Sequence, residues 1–292
     1  MSDAEIRALE RAVDADPSDA HALEALAAAR TRAGRGWADE PLVPDLRCSP
    51  RERGVYVWTR HGLGLEMVWV PGEAAFMVGR YPVTAYEEAA WPWSRSGNLG
   101  VVGRRDHPVV NVTHTDAVAF CDWAGLRLPT VAEWQRAAGV DTSPESCPDA
   151  HTGKFFGSKC PQCVCKPCIG PRPYPWGNEP PTPERCVSAE RDGAHSLLAA
   201  IVDTFGSGTR PVRDAENRPA RPDGASPYGA HDMVGHVQQW TSGTFSVPET
   251  HDPAADACGG SFRFGPQPGQ HPHNAGSRHS DVGFRVALSE PR

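Results

Sequence analysis

The chain has 292 residues, 39% of them hydrophobic and 22% charged, the balance of a globular protein. A formal net charge of −7 argues against a nucleic-acid polyanion as the main partner, and no apolar run approaches the ~20 residues that span a bilayer. With 29 glycines and 29 prolines, the composition excludes a plain helix bundle and predicts many turns and irregular segments.

Met1-Ser2-Asp3-Ala4-Glu5 lacks the basic start and apolar stretch of a secretory signal, so the expected compartment is the cytoplasm. There, nine cysteines read as thiols or metal ligands rather than disulfides. Residues 3 to 33 read as a helical hairpin of tetratricopeptide type. Ile6, Leu9 and Val13 recur at helical spacing, then Leu23, Leu26 and Ala27, with Asp16-Pro17-Ser18-Asp19 between them and Gly34 as the stop. One helix pair cannot bury its own apolar face. Residues 1–36 are therefore expected to cap the rest of the chain, self-associate or dock a partner. Residues 37–64 read as a linker and lead-in strand.

Short strands are expected at Val55 to Trp58 and at Met67 to Val70. His107-Pro108-Val109-Val110-Asn111-Val112 reads as a strand, followed by a helix capped by Thr115. The buried stripe of that helix is Ala117, Phe120, Cys121 and Ala124, and Gly125 closes it. Thr130 and Glu133 form a capping box for a second helix. Residues 141–192 read as an insertion, and residues 205–228 as a long loop rich in Gly, Pro, Arg and Asp. Within the insertion, Cys160-Pro161-Gln162-Cys163 and Cys165-Lys166-Pro167-Cys168 are two Cys-x-x-Cys pairs one residue apart, with Cys147 and His151 upstream. Such pairs offer thiolates to one tetrahedral zinc, which would be structural because four thiolates leave no open position. A disulfide or redox pair and free thiols are the alternatives.

Eight blocks of the chain resemble the formylglycine-generating enzyme (sulfatase-modifying factor) family. They are Leu65-Glu66-Met67-Val68-Trp69-Val70-Pro71-Gly72 with Phe76-Met77-Val78-Gly79, then Tyr81-Pro82-Val83-Thr84, then His107 to Val112. Arg127-Leu128-Pro129-Thr130-Val131-Ala132-Glu133-Trp134 and Tyr174-Pro175-Trp176-Gly177 follow. Tyr228-Gly229-Ala230-His231-Asp232-Met233-Val234-Gly235, Gly259-Gly260-Ser261-Phe262 and Val282-Gly283-Phe284-Arg285-Val286 complete the set. The resemblance implies an α+β, C-type-lectin-like fold over residues 65–292: a small twisted antiparallel sheet, two helices and long irregular loops. It also implies that Trp69, Trp123, Trp134, Trp176 and Trp240 are core aromatics. Arg285 then staples the C-terminal strand through a buried charge-assisted bond, and Cys121 is a small core residue.

The family's oxidases bind Cu(I) through two cysteines just after the Gly-Gly-Ser block. Here those positions carry Phe264 and Gly269, while Cys258 precedes the block. Copper, and the formylglycine-generating oxidation with it, is not expected. The family's calcium block, Gly-Asn-Val-Trp-Glu-Trp, stands here as Gly235-His236-Val237-Gln238-Gln239-Trp240, which lacks the carboxylate and amide oxygens that calcium prefers. Calcium is not expected there either. The helical His-x3-His-x-Glu iron motif of ergothioneine-type sulfoxide synthases is absent.

The segment 262–281 mixes an aromatic with adaptable polar groups, Arg263, Phe264, Gln267, Gln270, His271, His273, Asn274, Ser277, His279 and Ser280, as a ligand-binding surface does. In the variable proteins of diversity-generating retroelements this stretch is the displayed one, and an ordinary solvated loop is the plain alternative. The leading expectation is a module that binds a protein or small-molecule ligand through this loop. The rivals are an oxidoreductase with a metal on His271, His273 and His236, and an assembly scaffold acting through residues 1–36.

Overall fold

The computed structural model describes Ala8 and residues 45–49, 52, 54–71, 74–94, 105–140, 173–188, 208–246 and 253–289. Apart from helical Ala8, the hairpin expected over 1–36 lies outside the described residues. So do Cys147, Cys160, Cys163, Cys165 and Cys168.

A five-stranded antiparallel sheet begins as a meander of β1 (Leu46–Cys48), β2 (Val55–Trp58), β3 (Leu65–Val70) and β4 (Phe76–Gly79). The last strand, β9 (Ala287–Ser289), pairs with β4 from the far end of the chain. Alternation explains why these strands are apolar on both faces. Tyr56, Trp58, Met67, Trp69 and Met77 enter one core, whereas Val55, Val68, Val70, Phe76 and Val78 enter another. Helix α2 (His114–Ala124) contributes Ala117, Phe120, Cys121 and Ala124 to the first core. Helix α3 (Val131–Ala138) contributes Trp134, Ala137 and Ala138 to the second. A short helix α1 (Ala85–Ala89) precedes both.

The second sheet runs β7 (Gly265–Asn274), β6 (Pro253–Ser261), β5 (Gln238–Ser246), β8 (Val282–Phe284), with β8 parallel to β5. The buried stripe expected on α2 is present, but the helix starts earlier than expected. Thr113, not Thr115, is the cap: its Oγ1 accepts from Asp116 N at 3.0 Å, and Asp116 Oδ2 accepts from Thr113 N at 3.0 Å. Only Thr113 has an acidic residue three places on, which is what closes the reciprocal box. Gly125 ends α2 at φ 71, as expected. The Thr130–Glu133 box of α3 also forms, and Arg127 grips Glu133 in a bidentate pair at 2.6 and 2.7 Å.

Residues 107–112 are not a strand. Pro108 makes only an isolated bridge to Thr84, and Asn111 sits at φ 59, which ends any extended run. Its donors go elsewhere: Val109 N to Val83 O, Asn111 N to His279 O, and His114 N, just beyond it, to Ala275 O. The segment is thereby stitched to the loop after β7. Trp69, Trp134 and Trp240 are core residues, whereas Trp123 and Trp176 are only half-buried. Trp123 stacks on His61 and Trp176 on Tyr174. Arg285 is fully buried and donates to Gly79 O, His231 O and Gln239 Oε1.

Candidate functional site

The tip between β6 and β7 is shaped by two glycines with left-handed backbones, Gly259 at φ 104 and Gly260 at φ 65. A Cβ on Gly260 would lie 2.1 Å from Gly265 O, so the hairpin closes only over glycine. Ser261 follows, fully buried, and its hydroxyl clasps the tip. Oγ donates to Asp281 Oδ2 at 2.7 Å and accepts from Arg263 N at 3.2 Å and Phe264 N at 3.4 Å. Asp281 O in turn accepts from Gln238 N at 2.9 Å.

From Gln238 the network reaches the histidines. His273 Nε2 donates to Gln238 Oε1 at 2.9 Å, and its ring lies 4.8 Å from that of His279 and edge-on to Trp240. His114 meets Trp240 edge-on as well, and Trp240 Nε1 donates to Val112 O. The Nε2 atom of His279 is buried without a hydrogen-bond partner among the described residues. Burial holds His273 below the ordinary imidazole range, with His279 and His271 adding repulsion and Asp281 opposing it. Burial also lowers His271, against the pull of Asp256. Both imidazoles therefore favour the neutral form.

Around this network the candidate side chains fall into two groups. Phe264 at the tip is 64% exposed, and Arg263, Gln270 and Asn274 are exposed as well. Gln267, His271, His273 and His279 are half-buried. Several have internal roles: Gln267 Nε2 donates to Phe264 O, and Asn274 Oδ1 caps Gly276 N. Arg263 Nη1 lies 3.4 Å from Ser280 Oγ. Among the described residues β7 is an edge strand, and it carries Pro266, Pro268 and Pro272. Proline offers no N–H, so this edge resists addition of another strand and leaves recognition to side chains.

His236 does not join His271 and His273. It is fully buried, Nε2 accepts from Arg210 N at 3.0 Å, and Nδ1 lies 3.6 Å from Asp232 Oδ1. Among the described residues no group of three or more His, Cys, Asp and Glu side chains converges as a metal site. The two positions of the family's copper pair carry a phenyl ring and no side chain. The described free cysteines, Cys121, Cys186 and Cys258, are buried, and burial pushes all three thiols up, Cys186 to about 11. Cu(I) binds thiolates, so these residues do not fit a copper centre.

Residue patterns did not single out Gln238, Asp281 or Arg278 as parts of this face. Arg278 donates to Asn111 O at 2.7 Å and pairs with Asp116 at 2.7 Å, tying the loop to the first turn of α2. The Gly-Gly-Ser block did point to Ser261, but its partner lies twenty residues away, on the loop before β8.

The family profile described as sulfatase-modifying factor enzyme 1-like domain matches residues 69–290. Formylglycine-generating enzyme of Mus musculus is 30% identical over 175 residues, covering 59% of this chain and 37% of that protein. Hercynine oxygenase of Mycolicibacterium thermoresistibile is 30% identical over 244 residues, covering 72% of this chain and 41% of that protein. The chain thus spans about two-fifths of the length of these curated relatives. Among solved structures, Treponema denticola variable protein 1 overlays with a TM-score of 0.48 at 16% identity, covering 82% of this chain and 99% of that one. CarF overlays with a TM-score of 0.43 at 20% identity, covering 74% and 86%. Overlaps this loose carry no functional argument. The two curled, mainly antiparallel sheets, few helices and long irregular segments are the expected α+β, C-type-lectin-like architecture. With a profile match that covers well over half of its residues, the chain belongs to the sulfatase-modifying factor enzyme 1-like domain family.

Proposed function

We propose that this domain is a binding module of its family, which recognises a protein or small-molecule ligand through the β6–β7 tip and the loop that follows β7. One observation carries the reading. Where the family's copper chemistry needs two thiolates, this chain presents an exposed phenyl ring on a tip that is clasped from beneath by Ser261 and Asp281. An exposed aromatic on a pre-ordered support costs little entropy to bury, which is what an anchor for recognition requires. Arg263, Gln270 and Asn274 surround it with exposed polar groups, and the proline-bearing edge supports side-chain rather than backbone recognition. Family membership alone does not decide between enzyme and binder, since both occur on one scaffold and function resides in the site.

The test compares wild type with Phe264→Ala and with His271→Ala/His273→Ala, in two assays. Copper-loaded protein is incubated with a cysteine-bearing sulfatase-type peptide and scored for aldehyde by hydrazide labelling. In parallel, an immobilised domain captures ligands from its native extract. The binding reading expects no aldehyde, and captured species that are released by Phe264→Ala. Aldehyde formation by wild type, or turnover lost with a copper or iron content that the histidine pair controls, would overturn it in favour of an oxidoreductase.

The cysteine insertion is a second, separate proposal: Cys160, Cys163, Cys165 and Cys168, with Cys147 in reserve, hold a structural zinc. The support is the spacing alone. Metal analysis should return close to one zinc per chain, unchanged by His271→Ala/His273→Ala and lost when Cys160 and Cys163 become serine.

A further inference from the structure

We propose that the guanidinium of Arg221 is a built-in cation that replaces the family's calcium, so that the loops leading into β5 are closed by a side chain rather than by an exchangeable ion. Arg221 is buried, and Nε and Nη2 take both oxygens of Asp232 at 2.7 and 2.8 Å. Nη2 also takes Pro211 O at 3.0 Å. One buried cation thus gathers three oxygens from two separate segments, 211 and 232, which is the work that a calcium ion performs with carboxylate and carbonyl ligands. Asp232 is fully enclosed; burial opposes its charge, yet the neighbouring Arg221 guanidinium and the hydrogen bond from His236 hold its carboxyl far below the ordinary range.

The two side chains that replace the carboxylate and the amide of the calcium block, Gln239 and His236, are already committed to protein partners. Gln239 Oε1 accepts from Trp134 Nε1 and from Arg285 Nε, both at 2.9 Å, and Gln239 Nε2 donates to Asp232 O at 2.7 Å. That last bond needs an N–H. A carboxylate at position 239 would set two oxygens face to face unless a cation stood between them, so the amide is the side chain that suits an ion-free site. His236 O accepts from Phe262 N, and the imidazole is committed to Arg210 N and Asp232. The donor set therefore does not fit calcium, and the positive charge that the site requires is already covalently attached.

The experiment is thermal melting of the full chain after dialysis against EGTA, with and without added calcium or zinc, for wild type, Arg221→Gln and the double variant Arg221→Gln/Asp232→Asn. The wild type is expected to melt at one temperature in EGTA and in calcium. Arg221→Gln strands a buried carboxylate and is expected to melt roughly 6–20 °C lower. The double variant strands no charge and should recover at least half of that loss, which keeps the measurement available if the single variant fails to fold. A wild-type loss in EGTA that calcium and not zinc restores would overturn the proposal, and so would an Arg221→Gln protein that melts like wild type. A loss that zinc alone restores belongs to the cysteine insertion, and leaves the comparison of the two variants to decide.

Discussion

Ser261 and Asp281 show how a single buried contact fixes the candidate face. The serine hydroxyl is donor to one carboxylate oxygen and acceptor from two backbone amides, so its loss leaves three groups short of partners. Ser261→Ala should cost about 1–3 kcal/mol in denaturant unfolding, the usual penalty for stranding buried polar atoms. It should also weaken any ligand that Phe264 anchors; an unchanged midpoint would show that the clasp is not formed in solution. Arg285 is a sharper case, because its buried guanidinium meets three neutral oxygens and burial pulls it down to about 9. Arg285→Met should destabilise by about 3–5 kcal/mol, since Gly79 O, His231 O and Gln239 all lose a charged donor. Circular dichroism during urea titration would read the loss directly.

At the scale of elements, the local signals were legible where one element contains its own evidence. The Thr130–Glu133 box, the stop at Gly125 and the strand run Met67 to Val70 each lie within a few residues, and each appears as expected. The start of α2 was misplaced because a threonine with the wrong third neighbour looks like a cap until Asp116 is counted. Residues 107–112 read as a strand because apolar β-branched residues suit one, yet Pro108 and the left-handed Asn111 send its hydrogen bonds to the loop after β7. That destination is set by tertiary structure and leaves no mark in the segment itself. The same holds for the site. Composition pointed to the segment 262–281, whereas the Ser261–Asp281–Gln238–His273 chain joins three sheet strands, β6, β5 and β7, and the loop before β8. His236 does not group with His271 and His273 for the same reason: a short sequence interval to β5 says nothing about which partners a ring meets, and this one is held by Arg210 and Asp232. A hairpin test follows from the glycines. Gly260→Ala forces a contact with Gly265 O at 2.1 Å and should disturb the tip more than Gly64→Ala, where a Cβ meets nothing within 4 Å. Backbone amide shifts of Arg263 and Phe264 would register the difference.

For the whole molecule, acid is the predicted threat. Burial and the nearby Arg80 hold His231 down at about 4, and burial likewise lowers His114, His236, His271 and His273. Each is neutral in the folded protein, while the unfolded chain takes up protons near 6.5. Below that value the unfolded state binds more protons, so stability is intact above about pH 6.5 and is lost as the pH falls toward 4. His231 alone contributes about 3 kcal/mol across that window. The lowered carboxyl of Asp232 acts in the same direction below about pH 4. Melting temperature measured from pH 7.5 to 4.5 should fall continuously, and His231→Gln should flatten the slope; a flat wild-type profile would refute the assignment.

The pairing of β4 with β9 has a consequence in time. Strands β1 to β4 are made early, yet the partner of β4 is Ala287–Ser289, so Phe76 must wait for Ser289, roughly two hundred residues later. During synthesis β4 is therefore an open apolar edge while all the sequence between them passes through the ribosome. Emergence of Ala287–Ser289 closes that edge, which until then is open to pairing with other chains.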